Sequence, residues 1–261
     1  MFSPYNTDFC QNYWYYPDNS KIQDHWELNY TMEHCIKVII PAYNEENAIA
    51  NVIDDIPSYV DEIIVVSNNS TDATVANAKA AGATVLSESR RGYGYACLKG
   101  IDYVAAQTTN PDIIVFMDGD YSDYPEELTR LIKPIIEQDI DLVVGARVKG
   151  LREKGSMTFP QRFGNDLATF LMRLFFGSKF TDLGPFRAIK YQKLLDLNME
   201  DKTYGWTVEM QLKALKKNFT YVEVPVNYRN RIGVSKVSGT IIGAISAGVK
   251  ILAWIFKYSF K

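Results

Sequence analysis

Two aspartates separated by one glycine, Asp118 and Asp120, directly follow an apolar run at residues 113–117. The run is rich in β-branched residues, which is typical of a strand buried on both faces. In open α/β sheets, ligands bind beyond the carboxyl ends of the strands, which is where this pair falls. Carboxylates are ligands of Mg²⁺, which completes its shell with water and substrate phosphates. We therefore predict a metal site at Asp118 and Asp120, with Gly119 letting a bulky ligand approach; the alternative is an ordinary polar turn.

Strand-like and helix-like patterns alternate from Cys35 onward. Short apolar runs each end in a polar turn and lead into a helical pattern, which indicates an α/β fold with an open, mostly parallel sheet and flanking helices. Nucleotide-binding proteins share this Rossmann-like architecture, although a fold alone names no function. The predicted strands of the first half lie at 36–40, 62–66, 84–86 and 113–117.

The second half of the chain delivers several arginines. A predicted strand at 141–146 ends at Arg147, and a helix predicted at 162–176 begins with Arg162. That helix carries an apolar stripe at helical spacing, formed by Leu167, Phe170, Leu171 and Leu174. A further helix is predicted over 204–217 and carries Glu209, and an edge strand is predicted over 221–228.

The overall composition is that of an ordinary globular protein. The 261 residues are 47% hydrophobic and 23% charged. The net charge of −3 gives no general attraction to nucleic acid, so we expect no nucleic-acid partner and local cations at any phosphate site. The three cysteines show neither metal-ligand nor disulfide spacing, and no signal peptide is visible, which favours a cytoplasmic location.

Nine short motifs lie in order between about Cys35 and Gly239. They are Ile40-Pro-Ala-Tyr-Asn-Glu45, Ser70-Thr-Asp72, Gly92-Tyr-Gly94, Asp118-Gly-Asp120, Gly145-Ala-Arg147, Arg162-Phe-Gly-Asn165, Asp182-Leu-Gly-Pro-Phe-Arg187, Glu223-Val-Pro-Val226 and Arg231-Ile-Gly-Val-Ser-Lys236. Each motif is weak alone. The ordered set resembles family 2 glycosyltransferases, specifically the branch of dolichyl- or polyprenyl-phosphate sugar synthases.

The resemblance implies a GT-A fold, a nucleotide-sugar donor and a divalent cation, Mg²⁺ or Mn²⁺, held by Asp118 and Asp120. Asp120, Arg147 and Arg162 become candidate catalytic residues. The implied donor-binding residues are Pro41, Ala42, Tyr43, Glu45, Asn68, Arg91, Gly92, Asp118, Gly119 and Asp120. The implied residues for the acceptor phosphate or the donor diphosphate are Arg147, Arg162, Arg187, Arg231, Ser235 and Lys236. Arginine forks suit phosphate oxygens, so several on one face would form an anion funnel.

Three departures from the family pattern bear on the donor. Asn68 stands where the family often has an aspartate, and its amide can bond a nucleobase edge without bringing charge. Ser122 replaces a glutamine common in mannosyl-phosphate synthases, and Tyr93 replaces a lysine whose charge Arg90 or Arg91 would supply. Asn68 leaves the nucleobase open, and Ser122 weakens the case for GDP-mannose. We favour a UDP-sugar such as UDP-glucose, with GDP-mannose as the alternative.

Three functions remain open for this chain. An inverting transfer to a lipid phosphate needs cations and a metal but no base, because the acceptor is already ionised. A hydroxyl acceptor needs a carboxylate general base, for which Glu209 is the candidate. A nucleotidyltransferase or a nucleotide-sugar-binding module would use a similar sheet, but the acceptor-side arginines count against both.

The two ends of the chain differ from the middle. We divide the chain into an aromatic N-terminal arm at 1–35, a catalytic domain at 36–239 and a C-terminal amphipathic helix at 240–261. Lys250 interrupts the last apolar stretch, which argues against a spanning helix and for one lying in the interface of the inner membrane face. Its predicted apolar face holds Ile242, Ile245, Val249, Leu252 and Phe256. The alternative is that this face packs on the protein itself or on a second subunit of a homo-oligomer.

Overall fold

A computed structural model describes residues 33–233 and 241–259, and it contains one seven-stranded sheet with strand order β3-β2-β1-β4-β6-β5-β7. The strands are β1 (Ile36–Ala42), β2 (Glu62–Ser67), β3 (Thr84–Ser87), β4 (Ile113–Phe116), β5 (Leu142–Ala146), β6 (Arg187–Lys190) and β7 (Tyr221–Pro225). The helices are α1 (Ile49–Asp54), α2 (Thr74–Ala80), α3 (Tyr93–Ala105), α4 (Leu128–Gln138), α5 (Phe159–Phe176), α6 (Tyr191–Leu197), α7 (Trp206–Lys216) and α8 (Ile241–Ser259).

The sheet is buried between two layers of helices. One face packs on α1, α2 and α4, in a core that contains Val38 and Val115. The opposite face packs on α3 and α5 to α8, in a core that contains Ile39 and Phe116. Alternate residues of each strand therefore enter opposite cores, which is why these strands read as continuous apolar runs in the sequence.

Most neighbouring strands are parallel, and the predicted α/β architecture is confirmed. Strands β1 to β4 pair in parallel, and β5 pairs in parallel with β7. The exception is β6, which lies between β4 and β5 and runs antiparallel to both. Because β6 is antiparallel, it begins at Arg187 level with the last residue of β4, Phe116, at the edge where the aspartates lie.

Some element boundaries differ from the predictions. Helix α5 begins at Phe159, where Thr158 and Gln161 form a capping box, and α6 had no counterpart among the predicted helices. Residues 1–32, which make up nearly all of the predicted aromatic arm, lie outside the described part of the chain. Ser235 and Lys236 also lie outside it, so the roles predicted for them stay predictions.

The C-terminal helix α8 packs on the protein. The ring of Trp254 and the side chain of Ile255 are buried, and the Trp254 indole donates to Asp201 Oδ2 over 2.5 Å. Lys250 lies 3.3 Å from the same carboxylate. Val249 and Phe256, which the sequence analysis placed on the apolar face of this helix, are 62% and 43% exposed, so that face does not pack fully on the protein and its predicted membrane contact stays a prediction. None of the helices in the described ranges is long and apolar enough to cross a membrane.

Replacing Ile255 by alanine tests this docking. Ile255 is fully buried, so its truncation should lower the free energy of unfolding by about 2–5 kcal/mol, measured by urea titration. The matched control is Val249→Ala on the exposed side of α8, which should change it by less than about 0.5 kcal/mol. Equal effects of the two substitutions would contradict the observed packing of α8.

Candidate active site

Three carboxylates lie in the turn that follows β4. Asp118, Asp120 and Asp123 come within six residues of one another in the chain, and Asp120 and Asp123 are almost fully buried. Ser122 holds the Asp120 carboxylate through its backbone N–H (2.9 Å) and its hydroxyl (2.5 Å). Tyr121 adopts a left-handed backbone conformation with φ of 63°, which reverses the chain between Asp120 and Asp123. The turn thus gathers three carboxyl groups at the sheet edge.

This crowding changes the acidity of the carboxyl groups. Burial, reinforced by the charge of Asp120, raises the pKa of Asp118 to about 6. Burial and the charges of Asp118 and Asp120 raise the pKa of Asp123 well above its usual value. Both shifts come first from burial and then from the neighbouring carboxylates, so added positive charge would stabilise the ionised cluster.

Arg231 supplies part of that positive charge. Its guanidinium lies 2.6 Å from Asp120 Oδ2 and 3.4 Å from Glu45 Oε1. The backbone brings it there, because Ile232 donates its N–H to the Asp120 carbonyl and Arg229 to the Ser122 carbonyl. The structure therefore joins Glu45 after β1, Asp120 after β4 and Arg231 after β7, as the predicted site requires.

The donor set at the cluster suits a divalent cation. Asp118 Oδ1 and Asp123 Oδ1 are buried oxygens without a hydrogen-bond partner among the described residues. Such orphaned acceptors cost free energy unless a cation or water satisfies them. Within the described residues, no group of three or more His, Cys, Asp or Glu side chains is arranged to enclose a metal ion. A cation at Asp118 and Asp120 would therefore take several ligands from water or substrate, as Mg²⁺ sites commonly do.

A pocket of about 250 Å³ adjoins the cluster. Arg147 lines it and forms a bidentate pair with Asp182, with Nε–Oδ2 of 2.8 Å and Nη2–Oδ1 of 2.6 Å. Burial disfavours both charges, but the attraction and the hydrogen bonds between the two groups outweigh it. The pKa of Asp182 is therefore lowered and that of Arg147 is raised. The Arg147 guanidinium lies 5.2 Å from the ring centre of Tyr228, which pairs with Asp123 through the backbone. Other polar lining residues are Lys149, Arg152, Asn165 and Asp166.

Two arginines predicted to bind phosphate have different surroundings. Arg162 is exposed in the first turn of α5, one turn before Asn165 of the pocket. Arg187 is fully buried, and its guanidinium donates to the carbonyls of Leu183, Gly184 and Thr207. Burial lowers the pKa of Arg187 to about 10. The phosphate role predicted for Arg187 is therefore wrong, because its buried guanidinium donates to main-chain carbonyls of the protein itself.

Glu209 does not suit the general base predicted for a hydroxyl acceptor. Its carboxylate is fully buried, accepts the backbone N–H groups of Glu200 (2.8 Å) and Asp201 (2.7 Å), and lies 2.8 Å from Lys213 Nζ. A base must reach the proton that it removes. Glu209 instead orders the segment before α7, so we correct its role to a structural one.

Two other predicted donor-site residues also act on the protein itself. Asn68 accepts the Gly92 N–H at 2.8 Å and donates to the Arg90 carbonyl at 2.7 Å. Both ends of its amide thus bond the main chain of residues 90–92 and not a nucleobase. A Cβ at Gly119 would lie 3.3 Å from side-chain atoms of Ile40 and Ile49, which is tighter than an ordinary contact. Its small size serves core packing.

The remaining donor-site candidates lie at the same sheet edge. Pro41 and Ala42 end β1 and are buried, Tyr43 is half-buried, and Glu45 accepts the N–H groups that open α1. Arg91 is exposed, while Gly92 has a φ of 148° and abuts the Lys202 carbonyl, a contact that only glycine allows.

The sequence analysis missed two residues of this site. Asp123 was given no role, although an aspartate three residues beyond the Asp-Gly-Asp triplet reaches the same turn. Asp182 was quoted within a motif but given no partner. Nothing local links it to Arg147, 35 residues away, and only the sheet brings the two together.

Asp118→Asn tests the charge imbalance. A carboxyl whose pKa is raised in the folded state stabilises the fold at low pH, and this contribution is lost as pH rises from about 4 to about 6. At pH 7 the free energy of unfolding of the variant should therefore be about 1–3 kcal/mol higher than that of wild type, and the difference should vanish near pH 4. Chemical denaturation at both pH values measures this difference. Asp196→Asn, at an exposed position of α6, is the control. A less stable variant at pH 7 would contradict the imbalance.

Comparison with known proteins identifies the chain's relatives. The model of glycosyl transferase family 2 matches residues 37–197. An uncharacterized glycosyltransferase of Mycobacterium tuberculosis is 33% identical over 215 residues, covering 81% of this chain and 94% of the relative. A dolichyl-phosphate hexose transferase of Haloferax volcanii is 32% identical over 219 residues, covering 80% and 89%.

Solved structures agree on the fold. Glucosyl-3-phosphoglycerate synthase from Mycobacterium tuberculosis, crystallised with Mn²⁺, uridine diphosphate and glucosyl-3-phosphoglycerate, superimposes with a TM-score of 0.73 at 22% identity, over 95% of this chain and 86% of that one. The likeness confirms the predicted GT-A-type fold. With a family match over more than half of its length and relatives above 30% identity, this chain is a glycosyltransferase that belongs to glycosyl transferase family 2.

Proposed function

We propose that this glycosyltransferase transfers a hexose from a UDP-sugar, with UDP-glucose favoured, to a polyprenyl-phosphate lipid, with Mg²⁺ or Mn²⁺ at Asp118 and Asp120. The observation that carries the proposal is the carboxylate cluster beside a pocket lined by Arg147, Lys149 and Arg152. A cation site for the donor diphosphate and a cationic pocket for an anionic acceptor thus adjoin. The relative named dolichyl-phosphate hexose transferase supports the lipid-phosphate acceptor. The neighbour crystallised with Mn²⁺ and uridine diphosphate supports the metal and the UDP-sugar donor.

The proposed reaction is a single displacement with inversion. An acceptor phosphate oxygen attacks the anomeric carbon, the bond from that carbon to the diphosphate oxygen breaks, and the nucleoside diphosphate leaves with its electron pair. A bound divalent cation would neutralise charge on the leaving diphosphate. Arg147, kept rigid by Asp182, would orient the acceptor phosphate at the pocket, and Arg162 and Arg231 would add positive charge on either side.

The lipid-phosphate acceptor is preferred to a hydroxyl acceptor for a physical reason. A hydroxyl must lose a proton, whereas a phosphate is already ionised near neutral pH. The base predicted for the hydroxyl reaction, Glu209, is buried and bonded to two backbone N–H groups and Lys213. The proposed reaction uses only the cations and carboxylates at the sheet edge.

Donor binding should require the metal and Asp120. Calorimetric titration with Mn²⁺ present should show UDP-glucose or another UDP-sugar binding at least about tenfold more tightly than GDP-mannose, and chelation of the metal should abolish binding. Asp120→Ala should weaken donor binding by about tenfold or more, while the control Asp196→Ala on α6 leaves it unchanged. Equal donor binding by wild type and Asp120→Ala would refute the role of Asp120.

Arg147→Lys should separate acceptor chemistry from donor binding. The lysine keeps the charge but loses the fork that pairs with Asp182, so transfer to a polyprenyl phosphate should fall by about 10- to 100-fold with donor affinity unchanged. Arg130→Lys, at an exposed position of α4, is the matched control. Polyprenol without its phosphate should not be an acceptor. Efficient transfer to polyprenol would instead establish the hydroxyl reaction.

A further inference from the structure

Helix α5 presents bulky apolar side chains away from the protein. Phe159, Phe163, Phe170 and Leu174 are exposed by 72, 60, 57 and 64%, respectively. At 3.6 residues per turn, these four fall within about 60° on one side of the helix. The buried residues Ala168, Thr169 and Met172 lie on the other side. The α5 ridge, as we name these four residues, reverses the usual arrangement, in which the apolar stripe of a surface helix faces the core.

A separate aromatic contact joins α5 to α8. Phe175, which lies about 100° round the helix from Leu174, packs edge-on against Phe256 of α8 with ring centroids 5.8 Å apart. Phe256 is itself 43% exposed. Scattered exposed apolar residues are normal, whereas four bulky apolar residues in a row on one side of a helix mark an interaction surface.

Positive charge flanks the ridge on its other side. Arg162 and Arg173 are exposed on α5 and project to one side of the apolar stripe, and Asp166 is the one acidic residue of this helix. This combination suits a helix that lies in the interface of an anionic bilayer, with phenylalanines among the acyl chains and arginines at the phosphates. In a two-fold contact between copies, the same arginines would face one another, which disfavours a second copy.

The ridge also adjoins the acceptor pocket. Asn165 and Asp166 line that pocket and belong to α5, between Phe163 and Phe170 of the ridge. Asn165 is fixed there by bonds to the Leu183 N–H (2.9 Å) and the Thr181 carbonyl (3.1 Å). A bilayer that contacts the ridge would thus lie beside the pocket entrance.

We propose that the α5 ridge is the surface by which this enzyme docks on anionic phospholipid bilayers. This inference rests on the proposed lipid-phosphate acceptor, whose phosphate lies in a bilayer interface. It moves the membrane contact from the C-terminal helix, where the sequence analysis expected it, to a helix that carries part of the acceptor pocket.

Flotation of the full chain with vesicles tests the docking. Wild type should float with vesicles of phosphatidylcholine and phosphatidylglycerol, and less with phosphatidylcholine alone. Phe163→Glu combined with Phe170→Glu should reduce the bound fraction at least about tenfold, and Arg173→Gln should reduce binding mainly to anionic vesicles. Leu195→Glu, an exposed apolar position on α6, is the matched control and should float like wild type.

Two further measurements separate this inference from the proposed function. The double variant should transfer sugar to a short, water-soluble polyprenyl phosphate at the wild-type rate and lose activity only towards acceptor in vesicles. If neither protein uses any phosphate acceptor, the proposed function fails while flotation still decides the docking. Wild type that does not float, or a double variant that floats equally, would overturn the docking. A wild-type dimer that the double substitution converts into a monomer, without flotation, would assign the ridge to a second copy.

Discussion

The burial of like charges in the turn after β4 is the constraint on which the rest of the site depends. Asp118, Asp120 and Asp123 lie close together, and burial, reinforced by the charge of Asp120, raises the pKa of Asp118 to about 6. Such a cluster costs stability unless the surroundings hold it in place. The backbone of residues 229–232 does so, because it pairs with residues 120–122 and delivers Arg231 to Asp120. A divalent cation at Asp120 would compete with Arg231 for this carboxylate.

The arginines show that residue type alone does not give a role. Arg147 and Arg187 both belong to family motifs, and both are buried near the sheet edge. Arg187 begins the antiparallel strand β6 between β4 and β5, so its side chain enters the core and bonds main-chain carbonyls. Arg147 follows the last residue of β5, reaches the pocket and is oriented by Asp182. Strand direction and register therefore decide which arginine faces a ligand.

Much of this fold could be predicted from sequence, because many of its features leave a local pattern. The predictions that failed concern features that leave none. Strands buried on both faces leave continuous apolar runs, and turns after β1, β2 and β4 leave polar motifs, so the sheet and the Asp118–Asp120 position were predictable. Nothing local distinguishes an antiparallel β6, or Glu209 buried among backbone N–H groups from Glu209 in solvent. The apolar period of α5 was visible, but periodicity does not say whether an apolar face meets a core or a surface. Asp123 and Asp182 needed the folded turn and the assembled sheet.

A divalent cation held by Asp118 and Asp120 should displace Arg231 from Asp120. Diffraction from crystals soaked with Mn²⁺ and uridine diphosphate, recorded where manganese scatters anomalously, can detect both events. We expect one strong anomalous peak roughly 2.0–2.3 Å from a carboxylate oxygen of Asp118 or Asp120, with diphosphate oxygens in the same shell. We also expect the Arg231 guanidinium to move away from Asp120 Oδ2, from which it now lies 2.6 Å. Nucleotide bound without a peak at these aspartates, and with the Arg231–Asp120 pair intact, would contradict a metal site at this turn.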